Sequence, residues 1–205
     1  MKFLNQIQKY MNENDTDISS HLDTIYLRTL EMNPKQIVEL GVRGGESSKI
    51  FSCVNEDIGS SVVGVDIDQC DYSFVKNGTF YKASDTVFHG FYKSLYGPNI
   101  DVLFIDTSHF YEHTVQEIKY WFPLLSQKAL IIFHDTNLNN VYIRKNNTVG
   151  AGWDNQRGVI RAIEEYFNTN FNELENFTFE TELHNAKWKV VHEYLCNGLT
   201  LIYKN

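Results

Sequence analysis

Cysteine is scarce. Cys53, Cys70 and Cys196 are the only three in 205 residues, an odd count at wide spacing with no Cys-x-x-Cys pair. That argues against a disulfide framework or a thiolate zinc site and leads us to expect reduced thiols in a cytoplasmic chain. Proline is equally rare, with three residues, while 14% of the chain is aromatic and 21% charged. This balance excludes a largely disordered protein. No apolar run approaches the roughly 18 residues of a membrane-crossing helix. The opening MKFLNQIQKY has neither the apolar core nor the small-residue cleavage site of a secretory signal. Positive charge is short as well: 18 Lys and Arg against 26 Asp and Glu leave a net charge of −8. Nucleic-acid phosphates and anionic membranes are therefore not expected as partners. What the chain does have is 42% hydrophobic residues over a length typical of one domain. That suffices to bury on the order of 70% of the extended surface with no staple.

Residues 1–33 read as helical, with Asp17, Ser19 and Ser20 as N-cap candidates ahead of Leu22, Ile25, Tyr26 and Leu30, and with Asn33-Pro34 as the stop. We expect residues 1–34 to form a helical cap and 35–205 the main domain. Beyond the cap the period changes. IVELG (37–41), SVVGVDID (61–68), TFYKAS (79–84), DVLFID (101–106) and ALIIFHD (129–135) are short, nearly continuous apolar runs. Helical stretches at 47–54, 85–96 and 114–125 separate most of them. This alternation predicts an α/β fold with a doubly wound, mostly parallel sheet covered on both faces. After an amphipathic helix at 158–167, strands at 188–194 and 199–203 flank Asn197-Gly198, so an antiparallel hairpin should close the sheet. Residues 136–157 show no period and read as a long functional or mobile loop.

In open α/β sheets ligands bind outside the carboxyl ends of the strands. Here those ends are unusually polar: Gly41-Val42-Arg43-Gly44-Gly45, then Asp66 and Asp68, then Ser84-Asp85, then Asp106 with His109, then His134-Asp135. The glycines permit a tight turn and close approach of a ligand to the main chain, and the helix start near Ser47 offers N–H groups to an anionic group. The spacing is not the GxGxxG of dinucleotide folds. An acid about 20 residues past the glycines is placed to bond a ribose diol, which assigns Asp66 that task. Glu39 is an acid inside an apolar strand and needs a partner, with a salt bridge to Arg43 or to a neighbouring helix as the plainer reading.

IVELGVRGGES, VVGVDID, DVLFIDTSHFYEHTVQEIKYWFPLL and ALIIFHDTN together resemble the class I S-adenosylmethionine-dependent methyltransferases over about residues 35–137. Within them the chain looks most like small-molecule O-methyltransferases of the macrocin-type and cephalosporin hydroxylase-like group. The resemblance implies a Rossmann-like, seven-stranded sheet. It places Glu39 and Gly41–Gly45 against the methionine part of the cofactor, Asp66 on the ribose, Ile67 against adenine, Ser84 and Asp85 at the adenine edge, and Asp106 near the sulfonium. It also implies a small-molecule acceptor carrying a hydroxyl, a sugar or natural-product intermediate, and leaves open whether two copies associate.

Asp106, His134 and Asp135, at the ends of strands expected to be neighbours, could hold Mg²⁺ or another divalent ion. Relatives that use a metal carry an acid at the end of the fourth strand and an acid–acid or acid–amide pair at the fifth, where this chain has His134-Asp135. Without a metal, His109 or His134 could serve as general base, and His109, three residues after Asp106, should face the same cleft. His113, His21, His89, His184 and His192 show no partner pattern and read as surface or core residues. Three other functions remain open at this level. They are a nicotinamide-dependent oxidoreductase, a metal-dependent hydrolase or hydroxylase-like enzyme at Asp106, His134 and Asp135, and a non-catalytic binding domain on the same fold.

Overall fold

The computed structural model describes residues 2–205. The chain opens with α1 (Leu4–Glu13), a short 3₁₀ turn at Ser19–His21 and α2 (Leu22–Met32). Asp17, Ser19 and Ser20 do not cap a helix. Thr16 Oγ1 accepts the Ser19 N–H and His21 stands at the N-cap of α2 without a side-chain bond, so the chain breaks at 14–18 instead of running on as helix. Asn33 does stop α2, in a left-handed conformation with φ 48° directly before Pro34.

Then come β1 (Gln36–Leu40), α3 (Glu46–Ile58), β2 (Ser61–Asp66), β3 (Gly78–Lys82), α4 (Asp85–Tyr96), β4 (Ile100–Ile105), α5 (Tyr111–Trp121) and β5 (Leu125–His134). The order across the sheet is β3-β2-β1-β4-β5, all parallel. The strands read as continuous apolar runs because successive residues feed opposite faces. Along β4, Val102 and Phe104 join a core with Ile25, Tyr26 and Phe51, whereas Leu103 and Ile105 join one with Tyr92, Trp121 and Ile160. Every residue of β1, at the centre, is buried.

Past β5 the chain forms a small ribbon, β6 (Val141–Ile143) against β7 (Val149–Ala151), then α6 (Gly158–Phe167), β8 (Phe177–Leu183), β9 (Ala186–Glu193) and β10 (Leu199–Lys204). β10 lies antiparallel to both β5 and β9, with Asn197-Gly198 in the connection as expected. The sheet has eight strands, not seven, because β8 pairs outside β9. β8 alternates half-buried and exposed residues, and its Glu180 and Glu182 face Lys189 and Lys187 across the pair. The charged outer face of such an edge strand resists pairing with other chains. The 136–157 segment is likewise not structureless, since it contains the β6–β7 ribbon.

Candidate functional site

The order β3-β2-β1-β4-β5 brings the polar strand ends to one rim. At the end of β1 the chain turns at Gly41, with φ +86°, and a Cβ there would lie 1.9 Å from the Asp106 carbonyl oxygen. The turn after β1 is thus wedged against the end of β4, and only glycine fits. Gly45 is also left-handed, at φ +75°. Gly44 is different: it needs no positive φ, and a Cβ added there meets nothing within 4 Å. No contact within the chain requires glycine at 44, and the space above it stays open.

Asp66, at the end of β2, holds this loop. Its Oδ2 accepts the Val42 and Arg43 N–H groups at 2.8 and 2.9 Å, and its Oδ1 accepts the Asp68 N–H at 2.8 Å. Partial burial works to raise its pKa, but these three N–H donors outweigh it and keep the carboxylate below its ordinary value. Glu39 stands behind the loop. It is fully buried and accepts hydroxyl bonds from Ser47 (2.6 Å), Ser48 (2.7 Å) and Tyr72 (2.9 Å). Burial pushes its carboxyl up to about 7 despite these donors. Its partners are hydroxyls rather than Arg43, and they tie the start of α3 to β1.

A cavity of about 340 Å³ opens between the ends of β1, β2 and β4. Of the residues expected around a cofactor, Gly41, Arg43, Asp66, Ile67, Asp85 and Asp106 line it. Ile67 leaves 67% of its surface exposed, an apolar wall beside two acids. Glu39, Ser47 and Val42 do not reach the cavity: Val42 packs into the core, and Ser47 is spent on Glu39. Gly44 and Gly45 are outside its lining, and the Ser84 hydroxyl turns to Thr86.

His113 also lines this cavity, contrary to its reading as an uncommitted residue. Its Nε2 lies 3.0 Å from Asp85 Oδ2 and 3.6 Å from Glu117 Oε1, and Glu117 further accepts the Thr107 hydroxyl at 2.6 Å. The bonds to Asp85 and Glu117 raise His113 to about 10, while burial lifts Glu117 to about 7. His113 and Glu117 sit one turn apart on α5. That spacing was visible, but Asp85, the partner that gives it meaning, is 28 residues earlier.

The second half of the rim joins β4 to β5. His134 Nδ1 lies 3.3 Å from Asp106 Oδ1 and 3.4 Å from Asp135 Oδ1, and His109 Nδ1 lies 3.2 Å from Asp135 Oδ2. His109 Nε2 points toward Asp106 at 3.9 Å. Burial works against a charged His134, but the two carboxylates outweigh it and hold its pKa well above the usual histidine value. Burial likewise works against an ionised Asp135, and His134 with His109 brings its pKa down to about 2. Ligand atoms of Asp106, His134 and Asp135 all lie within 4.8 Å of one another. The 3.3–3.4 Å separations suit adjacent ligands of a six-coordinate divalent ion, and Asp135 Oδ1 has no hydrogen-bond partner among the described residues. The three residues therefore fit a metal.

His109 and Asp135 both carry left-handed backbone, φ 60° and 55°, a strain of ~1–3 kcal/mol each that the surroundings must hold. Buried Asn155 does part of this, its Nδ2 donating to the carbonyls of His109 (3.3 Å) and Asp135 (3.5 Å). Gly158 lets α6 begin against His109, since a Cβ there would lie 2.4 Å from the His109 carbonyl oxygen. Asn155 lay unsignalled in the aperiodic 136–157 segment.

Residues 38–136 match a family described as a methyltransferase domain. A search of curated proteins gave no match. Among solved structures, an O-methyltransferase from Bacillus cereus in complex with SAH is 12% identical over 100% of this chain and 91% of its own, with a TM-score of 0.58. The SAH-bound Podospora anserina methyltransferase PaMTH1 is 13% identical, covering 98% and 87%, with a TM-score of 0.56. MycE from the mycinamycin biosynthetic pathway, in complex with Mg, SAH and mycinamycin VI, is 16% identical with a TM-score of 0.55. This chain covers 92% of itself but 49% of MycE in that match. Among the described residues no helix is long and apolar enough to cross a membrane. The matched segment and the sheet order agree: residues 38–136 are similar to a methyltransferase domain, and the chain has a Rossmann-like fold.

Proposed function

We propose that the protein transfers a methyl group from S-adenosylmethionine to a hydroxyl of a small molecule. The observation that carries the reading is the cavity at the strand ends, which combines an acid on a glycine loop (Asp66), an exposed apolar wall (Ile67) and a second acid (Asp106) beside a histidine pair. The cofactor supplies a methyl already activated on a sulfonium. Asp66 has lone pairs beyond its three N–H bonds for a ribose diol, and the open space over Gly44 admits the methionine part. Asp106, near the reacting end, favours a cationic sulfur.

The acceptor oxygen must lose a proton as its bond to carbon forms. Asp135 Oδ2, 3.2 Å from His109 Nδ1, favours positive charge on that side of the ring and would leave Nε2 as the base toward Asp106. Asp106, His134 and Asp135 would hold a divalent ion, which would supply positive charge to lower the pKa of a bound hydroxyl.

Thermal unfolding with S-adenosylhomocysteine tests the proposal. At 100 times its Kd a ligand adds ~2.7 kcal/mol, so the midpoint should rise by roughly 5–10 °C for a chain of this size, while NADH should leave it unchanged. Mg²⁺ should add a further rise that Asp135→Asn removes. A rise with NADH and none with S-adenosylhomocysteine would instead point to an oxidoreductase.

A further inference from the structure

The β6–β7 ribbon has two unlike faces. On the inner face, the Tyr142 ring lies over Gly150, where a Cβ would meet it at 2.2 Å. On the outer face, Val141 pairs with Ala151 and Ile143 with Val149, and all four side chains are exposed. The alternation runs on past β7 to Trp153, which is 41% exposed. The Trp153 ring stands 6.1 Å from the His109 ring and 5.5 Å from the ring of Phe110, itself 56% exposed. An uncovered apolar strip thus leads from the ribbon to the proposed base. A chain of this acidity gains nothing by leaving Val149 and Val141 more than half exposed unless something covers them.

The charges beside the strip narrow what covers it. The three basic residues of segment 141–157 are each paired: Arg144 with Asp15, Lys145 with Asp23, and Arg157 with Glu164 and Glu173. Asp154, exposed next to Trp153, forms no ion pair among the described residues. An anionic acceptor, a phosphate ester or a carboxylate, would find repulsion and no free cation in this segment.

We infer that Phe110, Trp153 and the outer face of the β6–β7 ribbon form the acceptor site, and that the acceptor is an uncharged or cationic amphiphile. Its hydroxyl-bearing ring stacks on Trp153 beside His109, and its apolar body lies along Val149, Ile143 and Val141. The inference rests on the methyl-transfer reading and names the substrate class for the same site. Aromatic faces suit the apolar side of a sugar ring or a planar ring alike.

Intrinsic fluorescence provides the test, because Trp121 and Trp188 are buried and Trp153 is the exposed tryptophan. Octyl β-D-glucopyranoside, titrated below its micelle concentration, should change the emission saturably in the wild-type protein. Trp153→Phe should abolish the signal. Methyl β-D-glucopyranoside, which has the ring without the body, should be silent over the same range. Val149→Asp, on an exposed surface where folding is not at stake, should weaken octyl glucoside binding about tenfold, the scale of one buried valine. An equal response to both glucosides, or unchanged affinity in Val149→Asp, would overturn the inference. So would a concentration-dependent dimer in sedimentation that Val149→Asp dissolves, since a second copy would then own the strip. The S-adenosylhomocysteine thermal shift, run on the same samples, separates the two readings. A shift without octyl glucoside binding sinks the acceptor class alone, and binding without a shift sinks methyl transfer alone.

Discussion

Gly41→Ala is expected to cost more stability than any other single methyl added to the rim, about 3–5 kcal/mol. Two penalties act together. The backbone sits at φ +86°, where an L side chain is strained, and the new Cβ would fall 1.9 Å from a carbonyl oxygen of Asp106. That oxygen belongs to backbone at the end of a central strand, where Asp106 N–H bonds the Leu40 carbonyl at 2.9 Å, so it cannot swing away like a flexible side chain. Relief requires separating the glycine loop from β4, which also opens the cavity. Urea unfolding measures the loss. Gly44→Ala is the matched control. With no neighbour within 4 Å and no positive φ, it should keep wild-type stability and, if the proposed methionine part of the ligand passes over the loop, lose affinity for S-adenosylhomocysteine. Equal stability in the two variants would show that the loop is not wedged as described.

Asp66→Ala should raise the Kd for S-adenosylhomocysteine about 100-fold, the loss of two charge-assisted hydrogen bonds at ~1.5 kcal/mol each. The same change frees the Val42 and Arg43 N–H groups, which lose their acceptor, so some stability goes with it. Calorimetric titration below the unfolding temperature separates the effects. If Asp66 served only to tie the loop, stability would fall and the titration of the folded protein would be close to wild type.

The fold was largely legible because a parallel strand buried on both faces is apolar at most positions, as β1 is apart from Gln36 and Glu39 and β4 apart from Asp101. The joining of Asp106 to His134 and Asp135 was legible for the same reason. Once two runs are read as parallel neighbours, Ile105 opposite Phe133 places the following residues side by side. Illegible were partners that only the folded chain brings together. Glu39 could be seen to need a partner, but not that three hydroxyls from α3 and the segment after β2 would supply it. His113 was passed over because Asp85 lies on another helix. Asn155 holds two carbonyls from distant loops, which no local pattern announces. β8 does carry a period-two pattern, Phe177, Phe179 and Leu183 toward the core and Thr178, Glu180 and Glu182 outward, so its place in the sheet was open to reading.

The central claim is that a nucleoside cofactor docks in the 340 Å³ cavity at the strand ends. A crystal of the protein grown with saturating S-adenosylhomocysteine tests it most directly. The account predicts density there, with ribose oxygens within hydrogen-bonding distance of the Asp66 carboxylate and the base against Ile67. Density in the larger apolar groove of about 540 Å³ bordered by Ile118, Phe122 and Trp188, or a rim without ligand in that crystal, would contradict it.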